Sequence, residues 1–191
     1  MPRFTLVAIL VAGLSISAPA VAQTTPAAAD PGNMTRFSRA VNARFDSIRR
    51  DIVEAADLVP ENEYGFKPTP QVRSFGELIG HIADSQNFFC GVAGGSNPDY
   101  SDANEKSKAP TKAALVEALK ASMTKCDDVY AKTTAENALD VVKAGKGDAL
   151  RGMMLIDNIG HDNEHYGNIV TYMRLKGHVP PSTARATTSG R

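Results

Sequence analysis

The sequence predicts an all-α protein, a four-helix bundle running up-down-down-up with one long crossover between the second and third helices. Three observations lead there. Four stretches carry apolar residues at steps of three and four, the spacing that lines one side of a helix. Prolines and glycines punctuate the chain between them, and no stretch shows the strict apolar and polar alternation of a strand. Amphipathic helices of this length bury their apolar sides against one another in a bundle.

The 191 residues are 42% hydrophobic and 22% charged, a balance that suits one globular domain. The formal net charge is zero and like charges do not cluster, so no nucleic-acid partner is expected. Residues 1–22 read as a Sec-type signal peptide: Arg3, an apolar run from Phe4 to Ile16, then Ala20 and Ala22 ahead of Gln23. The run is shorter than the roughly 20 residues a spanning helix needs. No cysteine follows it for a lipid anchor, so the mature chain is expected off the membrane and outside the cytoplasm, periplasmic or secreted. Residues 23–33, "QTTPAAADPGN", read as a disordered linker. The bundle is expected over 34–181 and a disordered tail over 182–191.

The first helix is predicted from Thr35 to Leu58, with Phe37, Val41, Phe45, Ile48, Ile52 and Ala55 along one side; Pro60 stops it. "PENEYGFKPTPQVR" is a connecting loop. "SFGE" then matches a capping box, with Ser74 as N-cap and Glu77 reaching back, and the second helix runs to about Cys90. Its inward line is Leu78, His81, Ser85 and Phe88, flanked by Ile79, Ile82 and Phe89. "GVAGGSNPDYSDANEKSKAP" is a long loop for a compact domain. A third helix from Thr111 to about Lys132 follows, with Leu115, Leu119, Met123, Cys126 and Tyr130 inward. "TTAENALDVVKAGKGD" is a weakly patterned connector, open to a short helix or coil. The fourth helix opens near Asp148 and closes at Lys176, where Gly177 supplies a left-handed cap and Pro180 and Pro181 prevent continuation.

The chain has two cysteines, and the oxidising compartment implied by the signal peptide favours a Cys90–Cys126 disulfide. Cys90 ends the second helix and Cys126 lies well into the third. In antiparallel neighbours the two would sit about 20 Å apart at 1.5 Å per residue, whereas a disulfide needs Cα atoms within about 7 Å. Parallel middle helices joined by the long crossover remove the conflict.

On the fourth helix, His161 and His165 are four residues apart, about 40° around the axis and one turn along it. Their stripe continues through Met154, Asn158, Ile169 and Tyr172, so the imidazoles face the bundle interior. His81 lies on the inward line of the second helix. Three of the chain's four histidines therefore point inward, where a shared divalent cation satisfies them together. His178, past the cap, reads as a loop residue.

These residues resemble the DinB-like superfamily of four-helix-bundle metalloproteins, which includes YfiT-type metal-dependent hydrolases and thiol transferases using bacillithiol or mycothiol. The resemblance covers roughly Thr35 to Pro181. It rests on "FKPTPQVRSFGELIGHIADSQNFFC", with His81, and on "HDNEHYGNIVTYMRLKGHVPP", with His161 and His165. It implies that these three histidines bind one divalent cation, most often zinc or nickel, and it favours the parallel middle helices. Three ligands leave a coordination position open, as in catalytic zinc sites. Asp157 and Asn158, one turn before His161, are the candidates to orient its second nitrogen. Asp84 reads as a solvated residue of the helix face.

"HDNEH" also matches the H-x-x-E-H pattern of inverted zinc peptidases, with Glu164 as general base. Those enzymes take a downstream acidic ligand, and no Asp or Glu follows Glu164. A peptidase is therefore not expected, and Glu164 is kept as a candidate catalytic residue beside the ligands. Two function classes stay open. One is a metal-dependent enzyme that hydrolyses a small molecule or transfers a thiol, although export counts against the cytoplasmic thiol cosubstrates. The other is a non-catalytic metal-binding or interaction module with a structural ion. A small-molecule substrate and a homodimer are the expected partners. The crossover loop and the entry loop with Tyr64 and Phe66 are candidate lids.

Overall fold

The computed structural model of the protein describes residues 31–99, 111–188 and 190. The expected signal peptide, most of the linker and residues 100–110 of the crossover loop lie outside these residues. The described chain forms α1 (Pro31–Leu58), α2 (Phe75–Ala93), α3 (Lys112–Lys132), a hairpin of β1 (Val141–Ala144) and β2 (Gly147–Leu150), α4 (Arg151–Leu175) and α5 (Pro181–Thr188), with a 3-10 turn at Glu61–Glu63. The fold is all-α in its layers, as expected. No helix among the described residues is long and apolar enough to cross a membrane.

The ends of the helices follow their local chemistry. Ser74 Oγ accepts from the Glu77 amide at 3.2 Å while the Ser74 amide donates to Glu77 Oε2 at 2.7 Å, a complete capping box. Thr111 caps α3 by accepting from the Ala114 amide. At the end of α4 the His178 amide donates to the Met173 carbonyl and the Gly177 amide to Arg174, with Gly177 at φ +81°. That is a Schellman ending, and a side chain at Gly177 would be strained there.

α2 is the central helix, with buried residues from Phe75 to Ala93. Leu115 packs on Gly76 near the starts of α2 and α3, and Val129 on Gly94 near their ends, so these helices run in the same direction. The Cys90–Cys126 disulfide joins them with Cα atoms 5.3 Å apart. Lys112, at the start of α3, donates to the carbonyls of Asp57 and Val59 at the end of α1, which sets those two helices antiparallel. Tyr130 ties three helices together. Its ring stacks on Phe45 of α1 at 4.1 Å, and its hydroxyl donates to the Leu155 carbonyl of α4 at 2.7 Å.

Four expectations are corrected. The connector holds a β-hairpin, with Val141 opposite Leu150 and Ala144 opposite Gly147. Gly145, at φ +60°, takes the first central position of its two-residue turn. Alternation fails as a signal because Val142 alone in the hairpin is buried. The supposed tail holds α5. Pro181 ends no structure but opens this helix, where its missing N–H and fixed φ are favourable. The new helix is held by the Tyr166 hydroxyl on Ser182 and by Arg185 paired with Asp51 and Glu54. Residues 31–33 of the supposed linker belong to α1. Finally, Phe37 is 53% exposed. The 28 residues of α1 span about 42 Å against about 32 Å for α3, so its first turns overhang the core.

Candidate metal centre

The inward stripes of α2 and α4 meet as antiparallel neighbours, because the Tyr172 hydroxyl near the end of α4 donates to the Arg73 carbonyl just before α2. Partway along that seam, His81 projects from α2 towards His161 and His165 of α4. His161 Nε2 lies 3.1 Å from His81 Nε2 and 3.0 Å from His165 Nε2. Ligand atoms of all three lie within 4.8 Å of one another. His81 and His165 are buried and His161 is partly covered, with the Phe89 ring 5.7 Å from it.

Burial sets the charge state of this group. It pushes His81 down to about 4, helped by the charges of Arg73 and His165. It pushes His161 down to about 3, helped by His165, His81 and Arg73. His165 is lowered too, chiefly by burial, with Glu164 opposing and Arg73 adding. All three rings are therefore neutral at pH 7, the form that offers a lone pair to a cation.

The donor set fits one divalent ion. Three imidazole nitrogens at about 2.05 Å from a tetrahedral zinc lie about 3.3 Å from one another, close to the spacing here. A neutral Nε2 has one hydrogen-bonding role, yet that of His161 faces two others; one cation between them takes all three lone pairs. Three protein ligands leave a position for water or substrate.

The surroundings differ from expectation. Asp157 is exposed, and Asn158 donates to Gln86 Oε1 at 2.9 Å and to the Tyr130 hydroxyl at 3.3 Å, so neither reaches back to orient His161. The second nitrogen of His161 is buried without a hydrogen-bond partner. Asp84 is not solvated as expected; it is 2% exposed. Glu164 is exposed at the flank of His165. Tyr64 is no lid, because it is buried with its hydroxyl on the Ala56 carbonyl at 2.6 Å. Phe66 packs edge-on against Tyr172. The start of the crossover loop turns to the hairpin, where Asn97 exchanges hydrogen bonds with Gly145. His178 is a loop residue paired with Glu63 at 2.7 Å.

Beside the histidines lies a buried polar network. Gln86 Nε2 donates to Asp162 Oδ2 at 2.5 Å, while Gln86 Oε1 accepts from Asn158. Burial raises the Asp162 carboxyl to about 8, against the lowering effect of Gln86. Spacing could have revealed both residues. Gln86 continues Ile82 and Cys90 at steps of four, and Asp162 follows Asn158 by four. Asn168, whose amide nitrogen lies 3.4 Å from His165 Nδ1, is the group placed to orient that ring.

The DinB superfamily matches residues 44–169, a span that includes all three histidines and both cysteines. The chain belongs to the DinB superfamily. The solved DinB-like structures agree. A DinB-like protein from Bacillus subtilis is 24% identical, with a TM-score of 0.61 over 73% of this chain and 92% of that one. A DinB-like protein from Bacillus cereus is 14% identical, with a TM-score of 0.59 over 70% and 89% of the two chains. A mutant of a mycothiol-dependent maleylpyruvate isomerase is 15% identical, with a TM-score of 0.54 over 74% and 61%. At these identities the likeness is one of fold. No curated protein matches the chain. This DinB-superfamily member thus carries its histidine cluster on the two helices that pack across the bundle.

Proposed function

We propose that this DinB-superfamily chain is an exported metal-dependent enzyme acting on a small molecule, with His81, His161 and His165 holding one divalent cation, zinc or nickel. The observation that carries the reading is the convergence of three neutral Nε2 atoms, 3.0 and 3.1 Å apart, on one point. When bound, the ion supplies Lewis acidity, enough to acidify a water or hold a substrate thiol as thiolate. The chain's own residues do the rest. The bundle interior keeps the imidazoles neutral, Phe89 closes one side of the cluster, and Glu164 is the carboxylate at its edge suited to accept a proton.

Two features support catalysis over a structural ion. The α2–α4 seam is already held by Gln86 on Asp162 and Asn158 and by Tyr172 on Arg73, so an ion is not needed to join the helices. The donor set also leaves a position open. Export is supported by the signal-like residues 1–22 and by the buried disulfide, a bond that persists in oxidising compartments.

The test is metal content by plasma mass spectrometry on untagged mature protein and on His161→Ala. About one equivalent in the wild type, lost in the variant while the helical circular dichroism survives, is expected. A wild type that takes up no metal after reconstitution sinks the proposal. A protein that unfolds on chelation moves the ion to a structural role.

A further inference from the structure

The outer side of α4 carries apolar surface that the bundle does not use. Phe37, Leu139, Val141, Leu150, Met153 and Ile156 are each between 38% and 70% exposed. They form one patch. Val141 lies opposite Leu150 in the hairpin, with Leu139 two residues before it. Leu150, Met153 and Ile156 follow one another at steps of three into α4, and Ile156 walls a shared hollow with Phe37 of α1. At about 200 Å² a residue these fractions leave roughly 600 Å² of apolar surface open. That is the upper limit of what a monomer usually shows, and most of the about 800 Å² that each partner buries in a standard interface.

α4 adds an independent sign. Gly160 and Gly167 lie in its interior, where glycine costs about 1 kcal/mol relative to alanine. Nothing in the chain requires them, since a Cβ at either would meet no atom within 4 Å beyond its own turn of helix. Both are exposed, and Gly160 stands one turn beyond Ile156 on the same side. A missing side chain there admits a second backbone at close range. Charge completes the outline. Arg44 of α1 lines the cleft beside Ile159, one turn past Ile156, whereas Asp157 lies one turn past Met153 on the other flank of α4. Both are exposed, and neither forms an ion pair among the described residues.

We propose that this face joins two copies of the chain, with α4 crossing its counterpart at Gly160 and the apolar side chains packed around the crossing. A two-fold axis through the face sets Arg44 of each copy against Asp157 of the partner subunit, the self-complementary pattern of an isologous interface. Ile156 is turned about 140° round α4 from His161, so the pairing leaves the histidine cluster uncovered and does not depend on a metal.

The experiment is sedimentation equilibrium of the mature protein, zinc-loaded and metal-free. Twice the chain mass is expected at micromolar concentration in both. Met153→Glu and Gly160→Gln should each weaken the dimer at least about tenfold. Leu175→Lys, which changes an exposed leucine at the far end of α4, should leave it unchanged. Arg44→Asp should weaken it, and Asp157→Arg added to the same chain should restore part of the loss. Circular dichroism checks that each variant is folded, and Gly160→Gln should not lower the melting temperature of the monomer, because glutamine is the better helix former. A wild type that keeps the mass of one chain at about 100 µM overturns the proposal. So does a dimer indifferent to both Met153→Glu and Gly160→Gln, or one lost in Leu175→Lys instead. A charge swap without rescue overturns the two-fold arrangement.

Discussion

Removing the disulfide by a Cys90→Ala, Cys126→Ala double substitution should destabilise the protein by about 5 kcal/mol. The bond closes a loop of 36 residues. In the chain-entropy treatment, tying such a loop costs the unfolded chain about 13 cal/mol/K, or about 4 kcal/mol at 25 °C. Both sulfurs are fully buried, so losing them adds a packing cost on the order of 1 kcal/mol. Domain stabilities run from about 5 to 15 kcal/mol, so the variant is expected to be marginal at body temperature. Urea unfolding of oxidised wild type and variant, followed by circular dichroism, measures the difference. The slope against urea should rise in the variant as its unfolded state expands. Zinc content at low temperature should be unchanged, because the disulfide joins α2 to α3 whereas the histidines join α2 to α4. A loss below about 1 kcal/mol with an unchanged slope would refute the loop-closure reasoning.

Two further outcomes follow from the seam and the cap. Asp162 has its folded pKa raised to about 8 from 3.8, so both states are protonated below 3.8; between 3.8 and about 8 the unfolded chain releases a proton that the folded one keeps. The Asp162 contribution to the stability of the metal-free protein should therefore fall as pH rises through that window and level off above it, while the three histidines, whose folded pKa values are lowered, contribute in the opposite direction as pH rises towards 6.5. Asp162→Asn should match the wild type near pH 4 and exceed it at pH 8; an identical pH slope in thermal melts would dispose of this account. Ser74→Ala removes one half of the capping box and should cost about 1 kcal/mol in urea melts, with zinc content retained. A loss within error would mean that packing alone holds the first turn of α2.

Much of the fold was legible because it depends on neighbours in sequence. The capping box at Ser74, the Gly177 ending and the inward line Leu115, Leu119, Met123, Cys126 and Tyr130 all appear where spacing places them. The three histidines were legible for the same reason, each lying on an apolar stripe. The hairpin was not, since four-residue strands with one buried side chain carry too little pattern. α5 was missed because its stability comes from Arg185 on Asp51 and Glu54, residues more than 130 positions earlier in the chain. Asp157 and Asp84 were misjudged because one polar residue on a helix flank looks like another until the neighbouring helix is in place.

The sequence by itself determined the four main helices, their apolar faces, the pair of cysteines and the imidazoles that could share an ion. These follow from helical period and capping, which act over a few residues. Only the tertiary structure decided that His81 meets His161 and His165, that Gln86 reaches Asp162, and that the Tyr172 hydroxyl holds the Arg73 carbonyl. Those relations span about eighty residues of chain or more between partners and depend on how α2 and α4 pack. Periodicity states which face of a helix turns inward; only packing states what that face meets.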